Sequence, residues 1–144
     1  MANLMIIHGP NLNMLGIREP EIYGRTTLSE LNQMIKEKAC KLDFNIEIQQ
    51  SNHEGVIIDL IHSAYGHMDG IIINPGAYTH YSYAIADAIA SVSLPVIEVH
   101  LSDISKREEF RRHSVIKAVS VAQIAGLGTG SYLAALDKMA ELLA

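Results

Sequence analysis

Cysteine and tryptophan are scarce in this chain: its 144 residues include one cysteine, Cys40, and no tryptophan. A single cysteine excludes a disulfide framework and is typical of proteins in a reducing compartment. Four prolines and ten glycines exclude collagen-like chains. No apolar run approaches the roughly 18–20 residues that a membrane-spanning helix needs, and no secretory signal pattern opens the sequence. We therefore expect a cytoplasmic protein that is not associated with a membrane.

Basic residues are also few, with eleven Lys and Arg against sixteen Asp and Glu and a net charge of −5. Proteins that bind nucleic-acid phosphates normally carry a basic surface, and here the bases cluster only between Lys106 and Arg112. We expect no nucleic-acid partner, although a few arginines could hold a small anion. Hydrophobic residues make up 49% and charged residues 19%, which excludes disorder. The length predicts one domain, residues 1–144.

Apolar runs and helical periodicity alternate along the chain. The runs predict five strands, at residues 4–7, 44–48, 70–73, 95–99 and 119–125. Periodic segments predict helices at about 27–42, 53–65, 80–92 and 130–143. Capping-box sequences begin at Thr27, Ser51 and Ser105. Apolar strands that alternate with helices predict a parallel sheet covered on both faces, and five of them predict a flavodoxin-like α/β fold.

Polar residues follow the predicted strands, at the edge where open parallel sheets bind ligands. The sequence HGPNLN follows the first strand, NPGAYTH the third and HLSD the fourth. Turns favour such residues anyway, but their convergence on one edge favours a binding site. His80 and His100 are acid–base candidates because imidazole titrates near neutrality. No HExxH, CxxC or carboxylate cluster accompanies them, which argues against a metal site.

The connection at residues 16–25, GIREPEIYGR, is longer than the usual 2–6 residues. Gly16 and Gly24 bracket it as hinges, so the segment is a candidate lid. A solvated surface loop is the alternative. Tyr23 is a candidate base, because a nearby cation such as Arg18 would favour its phenolate form.

Three further segments have structural and functional interpretations. Arginines at 107, 111 and 112 belong either to an exposed helix with a Glu108–Arg112 ion pair or to a ligand-binding surface. The sequence leaves both open. The GLGTG sequence at 126–130 lacks the dinucleotide-binding spacing and predicts a tight turn. Asp87 lies in an alanine-rich helical segment, which predicts an oligomer contact.

Six motifs together resemble one enzyme family, the type II 3-dehydroquinate dehydratases. They are GPNLN at 9–13, REPEIYG at 18–24, QSNHEG at 50–55, INPGAYTH at 73–80, IEVHLS at 97–102 and REEFRRHS at 107–114. Six motifs in the right order are far more specific than any one of them, and the resemblance extends to about residue 137.

The resemblance implies a flavodoxin-like subunit that forms trimers, four of which make a homododecamer. It implies dehydration of 3-dehydroquinate to 3-dehydroshikimate without a metal, a cofactor or a Schiff base. By position, Tyr23 would be the base, Arg18 its neighbouring cation, Asn11 the holder of a water at the enolate, and His100 the acid, oriented by Glu98. Asn74, Leu101 and Ser102 would bind the substrate carboxylate, His80 and Arg111 its hydroxyls, and Asp87 would reach in from a neighbouring subunit.

Two other classes of function fit a flavodoxin-like chain. One is a binding module, either flavin-carrying or a signalling receiver. A receiver needs acidic residues after the first strand, where this chain has HGPNLN. The other is a structural assembly subunit, which would account for Asp87 but not for the Asn and His residues at the strand ends.

Overall fold

A five-stranded parallel sheet lies at the centre of the molecule. The structure, a computed structural model, describes the backbone of residues 1–144 and every side chain except that of Tyr23. The strands are β1 (Ala2–His8), β2 (Phe44–Gln50), β3 (Gly70–Asn74), β4 (Val96–His100) and β5 (Ala122–Ala125). Their order, β2-β1-β3-β4-β5, is the flavodoxin-like order. The predicted fold and its five strands are confirmed.

Helices cover both faces of the sheet. They are α1 (Pro20–Tyr23), α2 (Leu28–Lys41), α3 (Glu54–Ala64), α4 (Tyr83–Val92) and α5 (Gly130–Leu142). One hydrophobic cluster joins α2 and α5 to the sheet through Leu31 and Leu136. A second joins α3 and α4 through Ile61 and Ile89. Each fully buried Leu or Ile contributes roughly 1.5–3 kcal/mol, so the two clusters hold the three layers together.

The apolar sequence of β1 is explained by its position between the two hydrophobic clusters. Leu4 and Ile6 belong to the α2/α5 cluster, whereas Met5 and Ile7 belong to the α3/α4 cluster. Successive side chains on a strand point to opposite faces, and here both faces are covered. Strand β5 is shorter than predicted, because Lys117–Val119 form a 3-10 turn before it.

The capping predictions had mixed outcomes. At α2 the box is confirmed: the Glu30 N–H donates to Thr27 Oγ1 at 3.2 Å, and the Thr27 N–H donates to Glu30 Oε1 at 3.2 Å. The box at Ser51 is wrong, because its hydroxyl accepts from the N–H of His53, two residues on, at 3.0 Å. The box at Ser105 is also wrong, since residue 105 lies within a 3-10 turn that Asp103 caps.

The predicted tight turn at 126–130 is confirmed. Gly126 and Gly128 have φ angles of 85° and 59°, in the left-handed region that favours glycine. The turn therefore delivers the chain from β5 directly into α5.

From β1 the chain adds β2 on one side and β3 to β5 on the other. This switch in strand order creates a crevice at the carboxyl ends of β1 and β3. Here the loops after the two strands touch: the Gly9 N–H donates to the Asn74 carbonyl at 2.7 Å. A Cβ on Gly9 would lie 2.7 Å from that oxygen, a distance that real Cβ atoms essentially never show. Only glycine allows this close approach.

No helix in the described part of the chain is long and apolar enough to cross a membrane.

Candidate active site

A pocket occupies the crevice at the carboxyl ends of β1, β3 and β4. It has a volume of about 640 Å³, including space open to solvent. Eight residues that the sequence singled out line it: Asn11, Arg18, Asn74, His80, His100, Leu101, Ser102 and Arg111. They come from loops far apart in the sequence, and the parallel sheet brings them to one edge.

Of the predicted site residues that the structure describes, Asp87 lies away from the pocket. Asp87 lies on the exposed side of α4 and does not line the pocket. The side chain of Tyr23 lies outside the described residues. Its backbone ends α1, within the same connection that carries Arg18 into the pocket wall.

The connection at 16–25 contains α1 and has a left-handed glycine near each end. Gly16 and Gly24 have φ angles of 86° and 85°, conformations that residues with a Cβ rarely adopt. A Cβ on Gly16 would also lie 2.9 Å from the Arg25 carbonyl oxygen. Arg18 Nη2 lies 3.7 Å from Glu19 Oε2. The bracketing glycines of the sequence analysis therefore have a conformational basis.

His100 is held by a buried carboxylate. Its Nε2 lies 2.6 Å from Glu98 Oε2. Thr79 Oγ1 donates to the same oxygen at 2.5 Å, and the Ser114 hydroxyl donates to Glu98 at 2.8 Å. Because a carboxylate only accepts, Nε2 carries the proton and Nδ1 is the ring nitrogen left to face a ligand.

Glu98 is fully buried yet remains ionised. Burial favours its neutral form, but the hydrogen bond and charge of His100, with the hydroxyls of Thr79 and Ser114, outweigh burial and lower the pKa of Glu98. Buried charges persist where hydrogen bonds compensate them. The sequence did not predict roles for Thr79 and Ser114. The one feature that pointed to partners of this kind was an acidic residue, Glu98, inside the apolar strand β4.

His80 faces the pocket from the loop after β3. Its Nδ1 donates to the His113 carbonyl at 2.7 Å, which fixes the ring and leaves Nε2 for a ligand. Partial burial lowers the pKa of His80, and the nearby charges of His100 and Arg111 lower it further, whereas the hydrogen bond to His113 opposes them. A mainly neutral imidazole results.

Besides Arg18, two arginines from the segment after β4 line the pocket, Arg107 and Arg111. Arg111 Nε pairs with Glu108 Oε2 at 2.9 Å, and Arg107 Nη1 donates to Ser102 Oγ at 3.3 Å. The predicted Glu108–Arg112 pair is wrong, because this segment turns as a 3-10 helix and Arg112 Nε donates to the Arg107 carbonyl at 2.9 Å. The guanidinium groups make the pocket suitable for an anion.

Asn11 adopts a left-handed backbone conformation, with a φ of 69°. Asparagine tolerates this region better than most residues. The Asn11 N–H donates to Asn52 Oδ1 at 3.0 Å, so the loop after β2 supports the loop after β1. The exposed Asn11 side chain borders the pocket.

Among the described side chains, no group of three His, Cys, Asp or Glu residues is arranged to hold a metal ion. The pocket lining instead combines neutral hydrogen-bonding groups with guanidinium groups. These groups can bind a small, oxygen-rich anion and can move a proton at His100.

Comparisons with known proteins agree over nearly the whole chain. Residues 2–140 match the model of the class II dehydroquinase family. The 3-dehydroquinate dehydratase of Halothermothrix orenii is 54% identical over 99% of this chain and 97% of its own. That of Caldicellulosiruptor saccharolyticus is 56% identical over 99% of each. The crystal structure of the type II dehydroquinase from Butyrivibrio crossotus matches with a TM-score of 0.94 and 52% identity, covering 97% of both chains. The chain therefore belongs to the class II dehydroquinase family.

Proposed function

We propose that this chain catalyses the dehydration of 3-dehydroquinate to 3-dehydroshikimate. The observation that carries the proposal is the pocket itself, where Asn, His and Arg side chains from three separate segments converge on a space suited to a small carboxylate. Residues 1–144 act as one catalytic unit. The reaction needs no cofactor, and the enzyme works in the cytoplasm on this small-molecule substrate.

The reaction removes a proton from the carbon beside the ketone and a hydroxide from the next carbon. A base takes the proton, and the electron pair passes to the ketone oxygen as an enolate. The enolate then re-forms the ketone, the electrons make the new carbon–carbon double bond, and the departing hydroxide is protonated to water. The site must therefore provide a base, an acid and stabilisation of the enolate.

Tyr23 supplies the base in this proposal. It follows Arg18 by five residues in the connection at 16–25, and Arg18 lines the pocket. A guanidinium beside a phenol favours the phenolate. Closure of the connection as a lid would exclude water and strengthen that interaction. Asn11, at the base of the same connection, would hold a water against the enolate oxygen.

His100 supplies the acid. The Glu98 carboxylate, 2.6 Å from Nε2, stabilises the imidazolium and keeps the ring oriented, in the manner of the carboxylate of a catalytic triad. A proton on Nδ1 then passes to the leaving hydroxyl. Base and acid come from the lid and from the sheet edge respectively, which suits an anti elimination from opposite faces of the ring.

The remaining pocket residues bind the substrate. Asn74 and the backbone N–H groups of Leu101 and Ser102 would bind its carboxylate. His80, through Nε2, and Arg111 would bind the ring hydroxyls. The guanidinium groups also draw the anionic substrate towards the pocket.

Assembly completes the site in this proposal. Asp87 lies on an exposed helix face outside the pocket of its own subunit. In a trimer it would reach the pocket of a neighbour, and four trimers would make the homododecamer.

The decisive experiment measures the appearance of the conjugated enone product by ultraviolet absorbance when the protein meets 3-dehydroquinate. We expect turnover that is unchanged by a chelator. Tyr23→Phe should lower kcat by a factor on the order of 10²–10⁴ and leave KM nearly unchanged. Tyr65→Phe is the matched control, because Tyr65 is exposed and does not line the pocket. Absence of turnover by the unmodified protein contradicts the proposed function, and full activity of Tyr23→Phe contradicts the base.

A further inference from the structure

A chain of buried hydrogen bonds runs behind the pocket, through residues that the proposed reaction does not use. His8, the last residue of β1, is fully buried. Its Nδ1 lies 2.9 Å from the hydroxyl of Tyr132, and its Nε2 lies 2.7 Å from Asn32 Oδ1. Tyr132, on α5, is 1% exposed. Asn74, which is paired with His8 across β1 and β3, acts on the Tyr132 hydroxyl through its side chain. The hydrogen bonds thus connect the half-buried Asn32 on α2 to Asn74 in the wall of the pocket.

The donors and acceptors in this series of hydrogen bonds can be assigned from the chemistry of the groups. Asn32 Oδ1 only accepts, so His8 Nε2 carries the ring proton. Burial lowers the pKa of His8 to about 4, against a weaker opposing effect of Asn32, so the ring is neutral and Nδ1 is a bare acceptor. The Tyr132 hydroxyl therefore donates to Nδ1. Its oxygen is then left to accept, and the Asn74 group that can donate to it is the amide NH₂.

The amide of Asn74 is fixed at its other end as well. Its Oδ1 accepts from the Gly76 N–H at 3.1 Å. With Nδ2 bound to Tyr132 and Oδ1 bound to Gly76, the amide cannot exchange its oxygen and nitrogen without breaking both bonds. An amide NH₂ has two hydrogens, and Tyr132 takes only one. The second remains for a group in the pocket that Asn74 lines.

We propose that His8 and Tyr132 are positioning residues that hold Asn74 as a hydrogen-bond donor to the carboxylate of the substrate. Without them the Asn74 amide could present its oxygen to the carboxylate, and two acceptors would then face each other. The inference rests on the proposed function for the identity of the ligand, whereas the orientation of Asn74 rests on its bond from Gly76 and on its neighbours His8 and Tyr132.

The apolar environment of Tyr132 indicates that its hydroxyl has more than a packing role. Tyr132 lies in the α2/α5 cluster among Leu31, Ile35 and Leu136. A phenylalanine would fill the same ring volume there without a hydroxyl that needs partners. Buried polar chains are costly unless they are fully satisfied, and this one is satisfied at every link and ends on a pocket residue.

The first test compares steady-state kinetics of Tyr132→Phe with those of the unmodified enzyme. Loss of a hydrogen bond that orients a donor towards a charged group should raise KM for 3-dehydroquinate about tenfold, while kcat stays within about threefold. Leu136→Val, in the same cluster, is the control for lost packing: it should lower the Tm but leave KM unchanged. An unchanged KM in a folded Tyr132→Phe variant overturns the proposal, as does a loss confined to kcat.

The second test compares two substitutions of His8. The side-chain oxygen of His8→Asn can take the place of Nδ1 as the acceptor for Tyr132, so KM should remain near that of the unmodified enzyme. The His8→Leu side chain has no acceptor, and KM should rise as in Tyr132→Phe. Equal KM values for the two folded variants overturn the proposal.

The third test needs neither a variant nor activity. Nitrogen-15 NMR of the unmodified protein at pH 7 reports which ring nitrogen of His8 carries the proton. We expect a single tautomer with the proton on Nε2, and a proton on Nδ1 overturns the assigned direction of the chain. An enzyme inactive on 3-dehydroquinate but with the expected tautomer contradicts the proposed function and leaves the orientation of Asn74 standing.

Discussion

Burial and local donors decide the charge of individual side chains at the sheet edge. His8 and Glu98 are both fully buried. His8 has two neutral partners, and burial lowers its pKa to about 4. Burial alone would raise the pKa of Glu98. The charge of His100 and hydrogen bonds from His100, Thr79 and Ser114 outweigh burial, so the pKa of Glu98 is lowered. The histidine is therefore neutral and the glutamate charged near neutral pH, for physically different reasons.

The neutral His8 makes folding stability depend on pH. Its pKa is 6.5 when exposed and about 4 in the fold, so the unfolded chain binds the proton more readily between these values. The free energy of unfolding should therefore fall as the pH is lowered from 7 to 4.5, by about 2–3 kcal/mol from this group. Urea unfolding at the two pH values measures the loss. His8→Asn should remove this component, whereas the exposed His67→Asn should retain it; equal pH dependence in both variants contradicts the assignment.

Glu98→Gln tests the charge beside His100. Glutamine offers one acceptor oxygen where three donors converge, and its NH₂ would face a donor. We expect kcat to fall on the order of 10²-fold. Glu47→Gln, on the exposed side of β2, is the control and should keep full activity. A Glu98→Gln enzyme with unchanged kcat would show that His100 does not depend on the carboxylate.

Glu98 also contributes to stability in a definite pH window. Because its pKa is lowered from 4.5 in the fold, its contribution is fully present above that value and is lost as the pH falls through the lower, folded value. The stability difference between the unmodified protein and Glu98→Gln, measured by urea unfolding, should therefore shrink below about pH 4.5. A difference that stays constant down to pH 3 contradicts this.

At the scale of elements, periodicity in the sequence was sufficient to predict the fold, and local capping rules were less reliable. Apart from the shorter β5, the predicted strands and helices match those observed, because each apolar stripe has a layer to pack against. The three capping boxes share one sequence pattern, yet only Thr27 precedes a helix at the required position. Ser51 and Ser105 bond to nearer backbone and side-chain groups instead. A capping sequence has several local hydrogen-bonding options, and tertiary packing selects among them.

The residues of the candidate site likewise fall into those that the sequence predicted and those that it did not. Residues at strand ends were predictable because a parallel sheet brings its carboxyl ends together. The support behind Asn74 was not, because His8 and Tyr132 are 124 positions apart, and no spacing rule connects them. Thr79 and Ser114 meet Glu98 for a similar reason: the segment after β4 folds back over the loop after β3.

Because the loops after β1 and β3 are in close contact, we expect that an added methyl group at Gly9 is not tolerated. Gly9→Ala would place a Cβ 2.7 Å from the Asn74 carbonyl oxygen. Backbone must then move, so we expect a lower Tm and a higher KM. Gly55→Ala is the matched control: a Cβ there meets no atom within 4 Å, and alanine favours the helix by roughly 1 kcal/mol. A Gly9→Ala enzyme with unchanged Tm and KM would contradict the close approach.

At the scale of the whole molecule, the proposed site needs two subunits, and this can be tested by complementation. Tyr23→Phe and Asp87→Ala should each be nearly inactive alone. Co-expressed in mixed trimers, about a quarter of the sites would receive both unmodified residues, one from each subunit, so activity should return to about that fraction. Mixed assemblies no more active than either variant alone would place both residues in one subunit's site.

The position of Tyr132 on the last helix has a consequence for synthesis on the ribosome. All five strands precede α5 in the chain, so a nascent protein can contain the entire sheet while the Asn74 amide still lacks its partner on α5. Affinity for the ligand would then be acquired only when α5 emerges and docks on the sheet. Recognition of the substrate and docking of α5 become a single event, so nascent chains that still lack α5 would not compete for the metabolite.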